Sequence, residues 1–242
     1  MNQLIIEGIK DVLEIIKNDS EIVVDKILWH KKILKNPEFE EVERIANLKN
    51  IDMFEISKKD LKDLSKTVHS QGIFLVLKHE QTETIDEVLD KSKLVVFLNG
   101  VQDPGNFGSI IRSAFVLGFD AVLSDRTCVK LSNSKVLRAI KGYFTKIPVF
   151  EEILPNDEIL DKLKNQGFEI LVADFDEKAV DISNKKFTKN KVCVVFGSEG
   201  KGIAGFLENY EKICIPMKSK DQSLNVAVSA GIIMFEVIKK CR

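Results

Sequence analysis

Residues 94–123 read LVVFLNGVQDPGNFGSIIRSAFVLGFDAVL, and their pattern sets the fold class. The apolar run 94–98 is too short for a helix and has no polar interruption, as in a strand buried on both faces. A turn-rich loop follows, with Gly100, Pro104, Gly105 and Gly108. Phe107, Ile110, Ile111, Ala114 and Leu117 then recur at helical spacing before a second short apolar run at 121–123. Further apolar runs fall at 168–173, 192–196 and 213–215, and a helix bearing Ile159, Leu160 and Leu163 stops at Gly167. Short apolar strands separated by helices predict an α/β domain on a parallel sheet covered on both faces. The last stretch, 224–240, is apolar nearly all round until its basic end, which predicts a buried helix.

Toward the amino terminus the pattern is again α/β on a smaller scale. Ile6, Ile9, Leu13 and Ile16 follow helical spacing, and 22–29 reads as a strand. Asn36 and Pro37 suit the cap and first position of a helix carrying Phe39, Val42 and Ile45. A short strand at 53–56 leads to Ser57, an N-cap for a helix with Leu61 and Leu64, and 73–77 is a buried-looking strand. The polar, acid-rich stretch HEQTETIDEVLDKS, 79–92, has only Ile85, Val88 and Leu89 as apolar anchors. The expected organisation is therefore a domain at 1–80, a linker at 81–92 and a second domain at 93–242.

The 242-residue chain is 44% hydrophobic and 30% charged, an ordinary balance for a globular protein. It has no apolar run long enough to span a membrane. No basic region precedes the first apolar residues, so no signal peptide is expected and the cytoplasm is the expected location. Cys128, Cys193, Cys214 and Cys241 are widely spaced with no C-x-x-C pair, which predicts buried free thiols rather than zinc or disulfides.

The net charge of −1 hides an asymmetry: residues 1–92 hold 14 Lys+Arg against 19 Asp+Glu, and the remainder holds 22 against 18. Arg126, Lys130, Lys135, Arg138, Lys141 and Lys146 share a window with no acid. Such a window is either a solvated surface or a phosphate-binding face.

Ligands of open parallel sheets bind at the carboxyl ends of strands. Three segments there are unusual. After residue 98 comes NGVQDPGNFGSIIR, where Asn106 suits the cap of the helix carrying Arg112. After residue 196 comes GSEGKGI, a glycine-rich loop around Glu199 that lacks the spacing of a P-loop. After residue 215 comes PMKSKDQSLNVAVSAG, where Ser223 or Asn225 can start the last helix and present amides to a ligand. A dinucleotide-dependent oxidoreductase is the rival reading for such a sheet; GKGIAG at 200–205 has the G-x-G-x-x-G spacing but starts four residues past the apolar run 192–196 instead of immediately after it, which makes it a weak match to that fingerprint.

In order, FLNGVQDPGNFGSIIRSAFVLGFDAV, VVFGSEGKGI and ICIPMKSKDQSLNVAVSAGIIMFEV resemble the three signature motifs of the SpoU/TrmH family of RNA 2′-O-methyltransferases. LIIEGIKDVLEII, VDKILW and TVHSQGIFLVL more loosely resemble the substrate-binding domain of its ribosomal-RNA members. Ser219 and Ile140 depart from the usual pattern, where glycine and serine are common.

The resemblance implies a trefoil-knotted catalytic domain, an exception to unknotted topology, with S-adenosylmethionine as cofactor and no metal. It implies a cofactor site at Gly197, Ser198, Glu199, Gly200, Ile215, Pro216, Met217, Ser223, Leu224 and Asn225. It also implies a catalytic set of Asn106, Arg112, Glu199, Ser223 and Asn225. Arg112 keeps its proton at neutral pH, so charge stabilisation and phosphate binding suit it better than a base role. Arg112, Arg126, Lys130, Lys135, Arg138, Lys141 and His69 are the expected RNA contacts. Tyr143 and Phe144 are candidates for stacking on a base or for core packing. The implied acceptor is a ribosomal RNA, a guanosine of the large subunit, with transfer RNA as the alternative. A homodimer is implied too, so the apolar last helix has two readings, core and dimer seam. A nonenzymatic RNA-binding module with the same fold is the rival that a methyl-transfer assay separates.

Overall fold

A computed structural model gives the fold and describes residues 4–18, 23–65, 70–78, 83–140, 143–151, 156–176, 178–197, 205–218 and 223–241. The chain divides into two compact units, Met1–Glu80 with Ser132–Thr145, and Gln81–Leu131 with Lys146–Arg242.

The first unit runs β1 (Leu4–Glu7), α1 (Ile9–Asn18), β2 (Val24–Trp29), a 3-10 turn (Lys31–Lys35), α2 (Phe39–Leu48), β3 (Asp52–Glu55), α3 (Lys58–Leu64) and β4 (Ile73–Leu77). Its sheet has the order β1-β4-β2-β3, with β4 antiparallel to both neighbours and β2 parallel to β3. All five residues of β4 are buried, as their unbroken apolar run predicts. Two expected helix starts are corrected. Ile6 belongs to β1, opposite Leu75, because Gly8 at φ +116° turns the chain before α1 begins. Asn36 closes the 3-10 turn instead of capping α2; its Oδ1 accepts from the Glu38 N–H at 2.9 Å, and the helix starts at Phe39. Ser57 does cap α3, in a reciprocal box with Asp60.

The second unit begins with α4 (Ile85–Lys91), β5 (Leu94–Asn99), α5 (Pro104–Leu117) and β6 (Ala121–Ser124). The chain then contributes α6 (Ser134–Ile140) to the first unit. The second unit resumes with β7 (Val149–Glu151), α7 (Asn156–Asn165), β8 (Phe168–Ala173), β9 (Val180–Asp181), β10 (Lys191–Gly197), β11 (Glu211–Cys214) and α8 (Val226–Cys241). The sheet order is β7-β6-β5-β10-β8-β11-β9, parallel throughout. Phe97, Phe107, Phe168 and Phe196 are each at most 2% exposed. Burial of such a side chain contributes about 1.5–3 kcal/mol.

Residues 84–91, read as linker, form an ordered part of this unit. Thr84 and Glu87 make a capping box, and Ile85, Val88 and Leu89 pack in one core cluster with Val95, Phe97 and Leu163. Three apolar anchors at helical spacing outweigh the acids, all of which can face water. Sequence reading also missed β7 and β9, edge strands of three and two residues. The last helix is not buried all round: Val228 and Phe235 are each 50% exposed and Ile232 39%. Cys128 and Cys193 are buried, whereas Cys214 is half-buried and Cys241 is exposed near the carboxyl end of α8. Among the described residues no helix is long and apolar enough to cross a membrane. The knot implied by resemblance concerns loops that include 198–204 and 219–222, outside the described residues.

Candidate active site

The first motif is built around a buried carboxylate that sequence reading did not single out. Asp125, 4% exposed at the end of β6, accepts from Asn99 Nδ2 at 2.8 Å, Gly100 N at 3.1 Å, Thr127 N at 3.0 Å and Cys128 N at 3.0 Å. Burial alone would raise its pKa, but hydrogen bonds from Thr127, Gly100 and Cys128 outweigh that and hold it below the usual carboxylate value. The loops that leave β5 and β6 are thus pinned together, with Gly100 at φ +76° making the turn. Cys128 adds a second tie: Val101 N donates to its Sγ and the thiol donates to Leu98 O, each at 3.3 Å. Burial and the Asp125 charge push this thiol up to about 12, so it remains a protonated donor.

Asp103, not Asn106, caps α5: its Oδ1 accepts from Asn106 N at 2.7 Å, with Pro104 in the first turn. Asn106 stands three residues past the cap, and its side chain is available for another task. Its Oδ1 accepts from Asn225 Nδ2 at 2.9 Å, which joins the first motif to the third. Asn225 is the cap of α8; its own Oδ1 takes the N–H groups of Ala227 at 2.9 Å and Val228 at 3.3 Å.

A cleft with about 820 Å³ of atom-free space opens at the carboxyl ends of β8, β10 and β11 beside the start of α8. Gly197, Ile215, Met217, Ser223 and Leu224 line it, as the strand-end argument predicts. Pro216 is exposed between two lining residues. Ser198, Glu199 and Gly200 lie outside the described residues, and so do Lys141 and His69. Sequence reading missed the wall formed by Ala173, Asp174 and Phe175. The same rule applied to the loop after residue 173 would have found it. Lys212 Nζ lies 3.2 Å from Asp174 and 2.6 Å from Asp176, which tempers the negative charge at this wall. Apolar side chains beside backbone groups at strand ends suit a ligand with a flat heteroaromatic ring and polar edges.

Arg112 is exposed and does not line this cleft in its own chain. It shares the exposed side of α5 with Ser109 and Val116, at three- and four-residue spacing. The basic window is divided between the two units: Arg126 and Lys130 belong to the second, Lys135 and Arg138 to the first. Arg126, Lys130 and Lys135 are exposed. Arg138 is a correction, because α1 presents acids to it: the guanidinium pairs with Asp11 and lies 3.7 Å from Glu14. Ile140 is fully buried and Phe144 is 1% exposed, so both are core residues.

A sequence profile of the SpoU rRNA Methylase family matches residues 93–235, more than half of the chain. The chain belongs to this family. It therefore carries a SpoU methyltransferase domain and is an RNA methyltransferase by family. A second profile, RNA 2′-O ribose methyltransferase substrate binding, matches residues 5–83. An uncharacterized tRNA/rRNA methyltransferase of Borreliella burgdorferi is 32% identical over 220 residues, 84% of this chain and 94% of that one. A 23S rRNA (guanosine-2′-O-)-methyltransferase RlmB of Xanthomonas campestris pv. campestris is 28% identical over 251 residues, 99% of this chain and 97% of that one. An AdoMet-bound rRNA methyltransferase from Sinorhizobium meliloti shares the fold, with a TM-score of 0.65 at 20% identity over 98% of this chain and 87% of that one.

The bond between Asn106 and Asn225 gives a test of the SpoU site. Asn225→Ala removes cap and bridge together and is expected to lower the unfolding midpoint by about 2–4 °C, the scale of a lost cap. Asn225→Ser keeps a capping oxygen but is too short to reach Asn106. Thermal melts should therefore recover in the serine variant while methyl transfer stays low. Recovery of both would show that the bridge contributes nothing to activity.

Proposed function

We propose that this SpoU-family chain transfers the methyl group of S-adenosylmethionine to a ribose 2′-hydroxyl, and that the acceptor is a guanosine of large-subunit ribosomal RNA. The observation that carries the reading is the strand-end cleft, whose third-motif wall is joined through Asn225 to Asn106 of the first motif. Gly197, Ile215, Met217 and Leu224 would hold the cofactor, and Ser223 and Asn225 would shape its pocket or meet the ribose. The cofactor supplies an electrophilic methyl group on a positively charged sulfur.

The residues of the chain must then make a neutral hydroxyl nucleophilic. As the hydroxyl proton leaves to solvent, negative charge grows on the ribose oxygen, and a fixed cation nearby stabilises that charge and so favours the nucleophilic form. Arg112 suits this role and phosphate binding, because guanidinium stays charged and offers a planar fork of donors. Asn106 and Glu199 are assigned to orient Arg112 and the hydroxyl.

The placement of Arg112 outside its own cleft bears on assembly. Val228, Ile232 and Phe235 recur at four- and three-residue spacing on the exposed side of α8, and Val116 on α5, which packs against α8, is 63% exposed. This apolar surface supports a homodimer, and a two-fold contact across it would present the Arg112 of each protomer to its partner. The match of residues 5–83 supports a substrate-binding role for the amino-terminal unit. The full-length RlmB relative supports ribosomal RNA as the acceptor. Mapping ribose methylation in ribosomal and transfer RNA from cells with and without the gene tests the choice. Loss at one large-subunit guanosine is expected; loss confined to a transfer RNA would establish the alternative substrate.

A further inference from the structure

Between Asp25 and Glu38 the chain has four lysines, one histidine and no acid. The 3-10 turn Lys31–Lys35 lies in this stretch. Beside it is an open groove, with about 710 Å³ of atom-free space, lined by Lys32, Lys35, Asn36, Pro37, Ser70 and Gln71. We infer that this groove grips the backbone of the RNA substrate, with Lys31, Lys32 and Lys35 on its phosphates; the inference rests on the proposed RNA methyl transfer.

The groove is held in shape by a set of local bonds. His30 N donates to Gly72 O at 2.8 Å, Lys32 N to His30 Nδ1 at 3.3 Å and Gly72 N to Ser70 Oγ at 3.1 Å. Lys32 Nζ donates to Ser70 O, so its ammonium is fixed at the groove while keeping other protons to donate. Gly72, at φ +81°, lets the Lys32 stem lie against it: an added Cβ would come within 2.8 Å of that side chain.

Two amides complete the lining. Gln71 Oε1 accepts from Ile9 N at 2.8 Å and Asn36 Oδ1 from Glu38 N at 2.9 Å. Their carbonyl ends are committed to backbone, and among the described residues their NH₂ groups have no acceptor, which leaves donors for phosphate or ribose oxygens. Lys31 and Lys35 are exposed, with no acidic partner among the described residues. Clustered cations beside fixed donors suit a polyanion that threads an open groove. Local shape reading of this kind does not need a basic domain overall.

The test compares the full chain with Lys31→Gln/Lys35→Gln, and with Lys58→Gln/Lys59→Gln on α3 as an equal change of charge. The probe is an unmodified transcript of 23S-type ribosomal RNA. The groove pair should weaken binding roughly tenfold at moderate salt and reduce the log–log salt slope by about 1.4, or about 0.7 per lost phosphate contact. Its S-adenosylmethionine affinity and thermal midpoint should match the wild type. The α3 pair should leave affinity and slope near wild type. Equal losses in the two pairs, or an unchanged groove pair alongside a wild type that binds and methylates the transcript, would overturn the groove alone. A wild type that neither binds nor methylates it would overturn the functional reading as well.

Discussion

Arg112→Ala is expected to lower methyl transfer by about 10²–10³-fold, the scale for removing one group that stabilises charge in a transition state. Cofactor binding should change by no more than about twofold, because Arg112 does not line the cleft of its own chain. Stability should hold within about 0.5 kcal/mol, as for an exposed side chain away from a core or cap. Arg112→Lys should recover little, since an ammonium is a point charge without the planar, forked donors of guanidinium. Calorimetry with S-adenosylmethionine beside a single-turnover methylation assay separates these effects. Near-normal turnover in either variant would remove Arg112 from the mechanism.

Ser229→Trp should have an effect of similar size through a different step. Ser229 lines the cleft from the first turn of α8 and is only partly buried. An indole there would occupy space assigned to the cofactor, and a roughly hundredfold loss of S-adenosylmethionine affinity corresponds to about 2.7 kcal/mol. Mixing the two inactive proteins then asks where Arg112 acts. If it serves the partner's cleft, a mixed dimer pairs one open cleft with an intact Arg112 from the other chain. Random exchange of protomers should then restore roughly a quarter of wild-type activity. If each Arg112 serves its own cleft, no mixed dimer has a complete site and the mixture stays inactive. Light scattering on the same samples reports whether a dimer forms at all.

Much of the second unit was legible because fully buried parallel strands leave an unmistakable trace. The run 94–98 and its counterparts at 168–173 and 192–196 are continuous apolar stretches, and each became a strand. The amino-terminal unit was read less well, for local reasons. Ile6 fits the helical period of Ile9, Leu13 and Ile16, yet Gly8 ends the strand at Glu7, and only the pairing of β1 with β4 reveals it. In α4, composition misled: the acid count suggested a linker, although Thr84 and Glu87 carry the signature of a capping box.

In the site, Gly197, Ile215, Met217, Ser223 and Leu224 followed from their position after strands. Asp125 could not, because an aspartate in SDRTC gives no sign that its oxygens gather donors from a strand 26 residues away. The partners of Arg138 were hidden for the same reason, as Asp11 and Glu14 are remote in sequence and α6 packs with the first unit. Charge patterning identifies a basic window, but tertiary packing decides which cations remain available to RNA.

The most direct test of the central claim is transfer of a labelled methyl group from S-adenosylmethionine to unmodified ribosomal and transfer RNA, followed by digestion and mass analysis of the nucleosides. The account predicts a single 2′-O-methylated guanosine from large-subunit RNA, absent when Arg112→Ala replaces the wild type. Label on a base rather than a ribose, or no label on any RNA from a protein that binds the cofactor, would contradict it.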